Sequence, residues 1–210
     1  MHEYLSACLR LATSARPLVV FDLETTGLIR PGDPFPRIWQ IGAIRRDGSH
    51  ETRFERIVQI GQSLPSEANL RGIDPSLPDR TGKHSVEVLS DFAEFIDGAI
   101  LAGHRVQKYD CVVLLAAYEV SGLAMPVALA DPGHVIDTWL LADLYFRALA
   151  TGLPRPPSLH LSALGRFFNL PFDPEALHDA MADVTLNAAL LDVLLVEIER
   201  RRVGERAPRR

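Results

Sequence analysis

The stretch Val19–Gly27, VVFDLETTG, limits the fold more than any other part of the chain. An apolar run without polar alternation reads as a strand covered on both faces, as in a sheet flanked by helices. Yet the run closes on Asp22 and Glu24, and a strand turns residues two apart to the same side. Two like charges side by side repel, and desolvation makes the repulsion worse. Either water bathes the pair or something positive sits between them.

The rest of the chain supplies the covering helices. The start has helical spacing (Tyr4, Leu5, Cys8, Leu9, Leu11, Ala12) and ends at Arg16-Pro17, which predicts a lead-in helix over 1–16. A loop with three prolines follows the first strand, then two strands around a turn at Asp47-Gly48. A Pro-, Gly- and Ser-rich loop covers Gly61 to about Lys83. Helical periodicity runs through Val86, Leu89, Phe92, Ala93 and Ile96 to Gly98, and AILAGH is a short strand. A helix from Asp110 ends at Gly122, and HVIDTW is a strand entering a helix that Asp137 or Thr138 can cap. Ser158 can cap a helix running to Asn169, and a last helix spans about Ala180 to Arg202 with Leu186, Leu190, Leu194 and Ile198 on one stripe. A hairpin followed by alternating strands and helices predicts an α/β fold: a mixed central sheet, antiparallel hairpin plus parallel strands, flanked by helices. The organisation is then a lead-in helix, a single domain over 17–202, and a basic flexible tail over 203–210.

Composition narrows the class only partly. At 210 residues and 47% hydrophobic, the chain reads as an ordinary globular domain, with no apolar stretch of the roughly 20 residues that span a bilayer. The first residues lack a basic segment followed by a long apolar one, so no signal peptide is expected. Cys8 and Cys111 are far apart and lack metal-ligand spacing, which predicts reduced thiols and a cytoplasmic protein. The net charge of −5 is not the basic footprint of a nucleic-acid binder, but acids clustered on bound cations would invert the local field.

Three acidic clusters carry the chemistry, and each has a plain alternative. Asp22 and Glu24 can be a strand end emerging into water, although the Thr25-Thr26-Gly27 turn leaves room for a ligand near the backbone. Asp110, in GHRVQKYD, suits a helix N-terminus, where the dipole favours a carboxylate, and His104 suits a hydrogen-bonded loop histidine. In HDAMADV, His178 and Asp183 would lie about 140° apart on a continuous helix. If Asp179 caps the helix, Asp183 projects from its first turns while His178 lies just outside, which separates a rigid metal ligand from a more mobile proton acceptor.

Taken together and in order, these residues resemble the DEDDh branch of the DnaQ-like 3′–5′ exonucleases, a group that includes the DNA polymerase III proofreading subunit and ribonuclease T. The resemblance runs from about Leu18 to Leu195; LRGIDPSLPD, VIDT and LSALGRFFNL are similar to further family segments. One departure is the six positions from His104 to Asp110, one more than usual, with Arg105 where asparagine is common. The extra residue has to be absorbed before the helix begins.

The resemblance implies a ribonuclease H-like fold and a hydrolase that releases nucleoside 5′-monophosphates from 3′ ends of single-stranded or frayed nucleic acid, DNA favoured. It implies two divalent cations, Mg²⁺ or Mn²⁺, with Asp22 bridging both, Glu24 and Asp183 helping to hold the first, and Asp110 supporting the second. His178 would be the general base, a task imidazole suits because it ordinarily titrates near neutral pH. Thr25, Gly27, Leu28 and His104 would meet the substrate. Phe35 and Trp39 offer stacking faces and Arg30, Arg37, Arg105 and Lys108 offer cations, although packing and solvation are the ordinary roles of such residues. A DNA polymerase or another replication or repair protein is a conceivable partner. The competing readings are an RNA-trimming or short-oligonucleotide exoribonuclease, and a non-catalytic nucleic-acid-binding or polymerase-docking module.

Overall fold

The computed structural model describes residues 2–65 and 73–206. Helix α1 (His2–Ala12) leads into β1 (Leu18–Thr25), followed by the hairpin β2 (Ile38–Asp47) and β3 (His50–Ile57). A one-turn helix α2 (Leu77–Thr81) precedes α3 (Ser85–Phe95), β4 (Ile100–Gly103) and α4 (Asp110–Ser121). The short α5 (Val127–Ala130) then leads to β5 (Val135–Asp137), α6 (Thr138–Leu144), α7 (Leu161–Phe167) and α8 (Ala180–Arg206).

The strands form one sheet in the order β3-β2-β1-β4-β5, with β1 antiparallel to β2 and parallel to β4. This is the mixed architecture that the alternation of strands and helices predicts. β1 lies in the middle and is covered on both sides, which explains its apolar run. Val19, Phe21 and Leu23 pack with α3 and α4, while Val20 packs on the other side with α1, α6 and α8. The stripe Leu186, Leu190, Leu194 and Ile198 buries α8 against that second side.

Several boundaries move. The hairpin turn is Gly48–Ser49, one residue later than Asp47-Gly48, because Asp47 still pairs with His50 and Gly48 takes the positive φ of 59°. Ser158 is not a cap: α7 starts at Leu161 after extended His160. Asp137 does cap α6, accepting from the Trp139 and Leu140 N–H groups at 3.0 and 3.2 Å. α8 continues to Arg206, through the first part of the stretch read as a tail; 207–210 lie outside the described residues, as do 66–72, which include the start of LRGIDPSLPD. α1 is built into the core rather than merely leading to it. Leu5 and Cys8 are buried, and the Tyr4 hydroxyl accepts the Asp137 N–H at 3.0 Å. Among the described residues no helix is long and apolar enough to cross a membrane.

Candidate active site

Asp22 and Glu24 continue the face of β1 that carries Val20, so both look toward α8. Across the ladder, Asp22 stands opposite Gly42 and Glu24 opposite Gln40. The register then steps to Thr25 opposite Ile38, a β-bulge that skips Trp39. Bulges next to sites re-aim side chains. Here the bulge puts Ile38 on the α3/α4 side of the sheet and seats Trp39 against Ile60 and Leu64.

The start of α8 docks on those two β2 positions. An added Cβ at Gly42 would sit 2.7 Å from the Ala180 carbonyl carbon, so only hydrogen there admits the helix. Gln40 is buried; its amide donates to Asp179 Oδ2 at 2.8 Å and accepts the Ala180 N–H at 3.3 Å. Asp179 caps α8 through Oδ1, which accepts from Met181 and Ala182 at 3.1 and 3.0 Å. His178 therefore lies just outside the helix, with a left-handed φ of 70° and its N–H donated to Asp183 Oδ2 at 3.4 Å. Such backbone is rare for a non-glycine residue and clusters at functional sites. It brings the histidine round to the face that a continuous helix would deny it. Glu24, His178 and Asp183 each offer a ligand atom, all within 4.8 Å of one another.

Asp110 reaches the site from the other flank. β4 stops at Gly103 while β1 continues to Thr25, so the β4-side edge of β1 is open beyond the end of β4. The buried Asp110 carboxylate fills that gap, accepting the Leu23 N–H at 3.1 Å. The residue before it, Tyr109, holds the adjacent turn: its hydroxyl donates to the Gly27 carbonyl and lies 2.6 Å from Thr25 Oγ1. The extra loop residue is absorbed by Arg105, which adopts φ 61° and stacks its guanidinium on Trp139, 5.1 Å from the ring centroid. Buried Asp137 shapes this loop by accepting N–H bonds from Arg105 and Gln107. Sequence reasoning missed Gln40, Gly42 and Tyr109; only Tyr109 carried a local signal, standing beside a candidate carboxylate.

Residues 19–191 match the sequence model of the exonuclease family. The chain belongs to the DnaQ-like 3′–5′ exonuclease family. A PolC-type DNA polymerase III of Lacticaseibacillus paracasei is 36% identical to this exonuclease-family chain over 108 residues, 50% of this chain and 7% of that protein. Protein NEN4 of Arabidopsis thaliana is 27% identical over 187 residues, 85% of this chain and 67% of that protein. The solved structure of E. coli exonuclease I with a dT13 oligonucleotide superposes with a TM-score of 0.69 at 20% identity, covering 90% of this chain and 42% of that one. Exonuclease I from Methylocaldum szegediense gives 0.70 at 23%, with 89% and 41% covered. These likenesses show a ribonuclease H-like fold. The chain spans less than half of exonuclease I and a small part of PolC.

The candidate site is strongly acidic. Burial first, then repulsion from Asp110, Asp183, Glu24 and Asp179, raises Asp22 well above the usual carboxylate range. Glu24 is pushed up to about 8 by burial and then by Asp183, Asp110 and Asp179. Burial also raises Asp110, against the opposing pull of the N–H groups it accepts. Carboxylates gathered against this penalty fit hard divalent cations, which prefer oxygen ligands and remove the repulsion.

The substrate-side candidates divide. Leu28 is 67% exposed and Phe35 51%, and Arg30 and Lys108 are exposed. Trp39 is buried and offers no stacking face, and Arg37 donates to the Ile60 carbonyl. His104 is held inside the fold: Nε2 donates to the Leu159 carbonyl and Nδ1 lies against the Thr138 hydroxyl, both at 2.9 Å. Burial lowers it to about 4, so it stays neutral and binds α6 and the approach to α7 to the end of β4 rather than offering a polar atom to a strand. Thr25 and Gly27 form the turn beside Glu24, with the Thr25 hydroxyl donated to the Gly27 carbonyl at 2.8 Å.

Proposed function

We propose that this chain is a metal-dependent 3′–5′ exonuclease that trims single-stranded or frayed nucleic acid, DNA favoured, to nucleoside 5′-monophosphates. One observation carries the reading: carboxylates from β1, α4 and α8 repel one another at one end of the sheet, and the His178 ring stands beside two of them. Asp22, Glu24, Asp110 and Asp183 would hold two divalent cations, Mg²⁺ or Mn²⁺, supplying positive charge for the attacking and departing oxygens of an in-line displacement.

In the hydrolysis, a water oxygen bonds to the terminal phosphorus while the bond to the upstream 3′ oxygen breaks. One water proton passes to the His178 ring, and the departing 3′ oxygen takes its proton from a second water molecule of the solvent. A general base contributes about 10²–10⁴-fold. Asp179 and the Asp183 carboxylate orient the histidine by fixing the backbone on either side of it. Leu28 and Phe35 present apolar faces to unpaired bases, each stacked base worth about 1–3 kcal/mol. The dT13 complex of exonuclease I supports DNA as substrate, and the PolC likeness supports a DNA polymerase or another replication or repair protein as partner.

The test is a panel of matched 5′-labelled single-stranded DNA and RNA oligomers with Mg²⁺, Mn²⁺ or EDTA. Stepwise shortening from the 3′ end with monophosphate release, lost in EDTA and in folded Asp22→Ala, is expected. Faster trimming of RNA would turn the reading to an exoribonuclease, and no release from any oligomer with either metal would leave a binding module.

A further inference from the structure

Gln40 makes two directed bonds to a segment 139 residues away, and both go to the junction that precedes α8. Its amide oxygen accepts the Ala180 N–H, and its amide nitrogen donates to the Asp179 oxygen that the helix cap leaves over. A buried amide satisfied at both ends is held in one orientation, because turning it over would set donor against donor and acceptor against acceptor. Asp179 is thereby fixed by the helix on one oxygen and by β2 on the other. His178, the next residue back, is in backbone that an unconstrained chain leaves readily, since left-handed φ is unfavourable for a side-chain-bearing residue. Gln40 also stands opposite Glu24 in the ladder, so it references the histidine to the strand that bears the acids.

We propose that Gln40 is a positioning residue for His178, acting through Asp179: it holds the histidine in its left-handed conformation against Glu24. The inference rests on His178 being the proton acceptor of the reaction. The close approach at Gly42 anchors Ala180 and Met181 independently of Gln40, so the helix that carries Asp183 keeps a second hold on β2 while the histidine outside it depends on Gln40.

Gln40→Met keeps the volume and removes both bonds; Q40E/D179N conserves charge and rebuilds them. In the exchange, the new carboxylate at position 40 accepts from the Ala180 N–H and from the new amide at position 179, whose oxygen still caps α8. On a single-stranded DNA oligomer with Mn²⁺, Gln40→Met should lower kcat about a hundredfold, the effect of a misplaced reacting group. KM and calorimetric Mn²⁺ affinity should stay at wild-type values, and the exchange should restore kcat. On a His178→Ala background, Gln40→Met should cost nothing further.

Unchanged kcat, a parallel loss of Mn²⁺ affinity, an additive effect on the His178→Ala background, or a folded exchange variant without recovery would each overturn the proposal. Should the wild type prove inactive, the functional reading fails while this one is still decided by NMR. The His178 ring resonances, assigned by difference from His178→Ala, should move in Gln40→Met and return in the exchange; resonances that stay in place refute it.

Discussion

Replacing Gly42 with alanine puts one methyl group under the first turn of α8, and the geometry says what that methyl meets. Its carbon would lie 2.7 Å from the Ala180 carbonyl carbon, 2.8 Å from the Ala180 oxygen and 2.9 Å from the Met181 nitrogen. Ordinary contact is near 3.5–4.0 Å, so the helix start has to withdraw by about 1 Å. All three obstructing atoms are backbone, and no side-chain rotation relieves them. Overpacking of this kind costs about 1–3 kcal/mol, and in a chain of this size each kcal/mol lowers Tm by roughly 2–4 °C. The larger consequence falls on the site, because Asp183 travels with the helix while Asp22 and Glu24 stay on β1. A shift of about 1 Å in a reacting constellation costs on the order of a hundredfold in rate. Gly42→Ala should therefore remain folded with a Tm lower by roughly 2–12 °C, lose about a hundredfold in kcat, and bind Mn²⁺ more weakly by calorimetry. Wild-type turnover and Mn²⁺ affinity at a wild-type Tm would show that α8 does not need this approach.

Glu24 holds a proton near neutral pH that the unfolded chain has released, so metal-free protein should lose stability as pH rises from about 6.5 to 8. Below about pH 6.5 the neutral His104 pulls the other way, since unfolding lets it take up a proton. Thermal melts in EDTA should slope downward across that upper window, flatten with Mn²⁺ and slope less steeply in Glu24→Gln, where Asp22 and Asp110 still release protons; a Tm that climbs instead contradicts the assignment. Tyr109→Phe removes the hydroxyl that steadies Gly27 and Thr25, so KM for a short oligomer should rise with little change in kcat. An unchanged KM would mean the turn needs no such support. His178→Ala should reduce turnover while sparing Mn²⁺ affinity more than Asp183→Ala does, and equal losses of affinity would make the histidine a ligand rather than a base.

What the amino-acid pattern disclosed was local. The double-sided apolar run of β1, the stripe on α8 and the capping roles of Asp137 and Asp179 are written in neighbouring residues, and the structure has them. Asp22, Glu24, Asp110, His178 and Asp183 could be named because three short motifs occur in a familiar order. What stayed hidden depends on partners remote in the chain. Gln40 reads as one polar residue in an apolar strand until Asp179 and Ala180 arrive beside it. Gly42 reads as a weak point in a strand until a helix start needs its empty place. His104 suits a hydrogen-bonded loop histidine by its own position and is set against the substrate only by the resemblance; the Leu159 carbonyl and Thr138 that occupy its ring come from 34 to 55 residues further on, beyond the reach of a local motif. Packing is the ordinary role of a tryptophan at a strand start, and Trp39 does pack, but the bulge that tucks it away has no sequence mark.

The unequal lengths of β1 and β4 have a bearing on how such a protein can decay. Glu24 could be exchanged for an apolar residue in a copy released from selection, and the sheet would even be relieved of a repulsive charge. Asp110 is tied to the architecture as well as to the proposed metal site, since without its oxygen the Leu23 amide is stranded in the interior at about 1–3 kcal/mol. Silenced descendants should thus shed the first acid early and keep the second, or an asparagine in its stead, long after any turnover is gone.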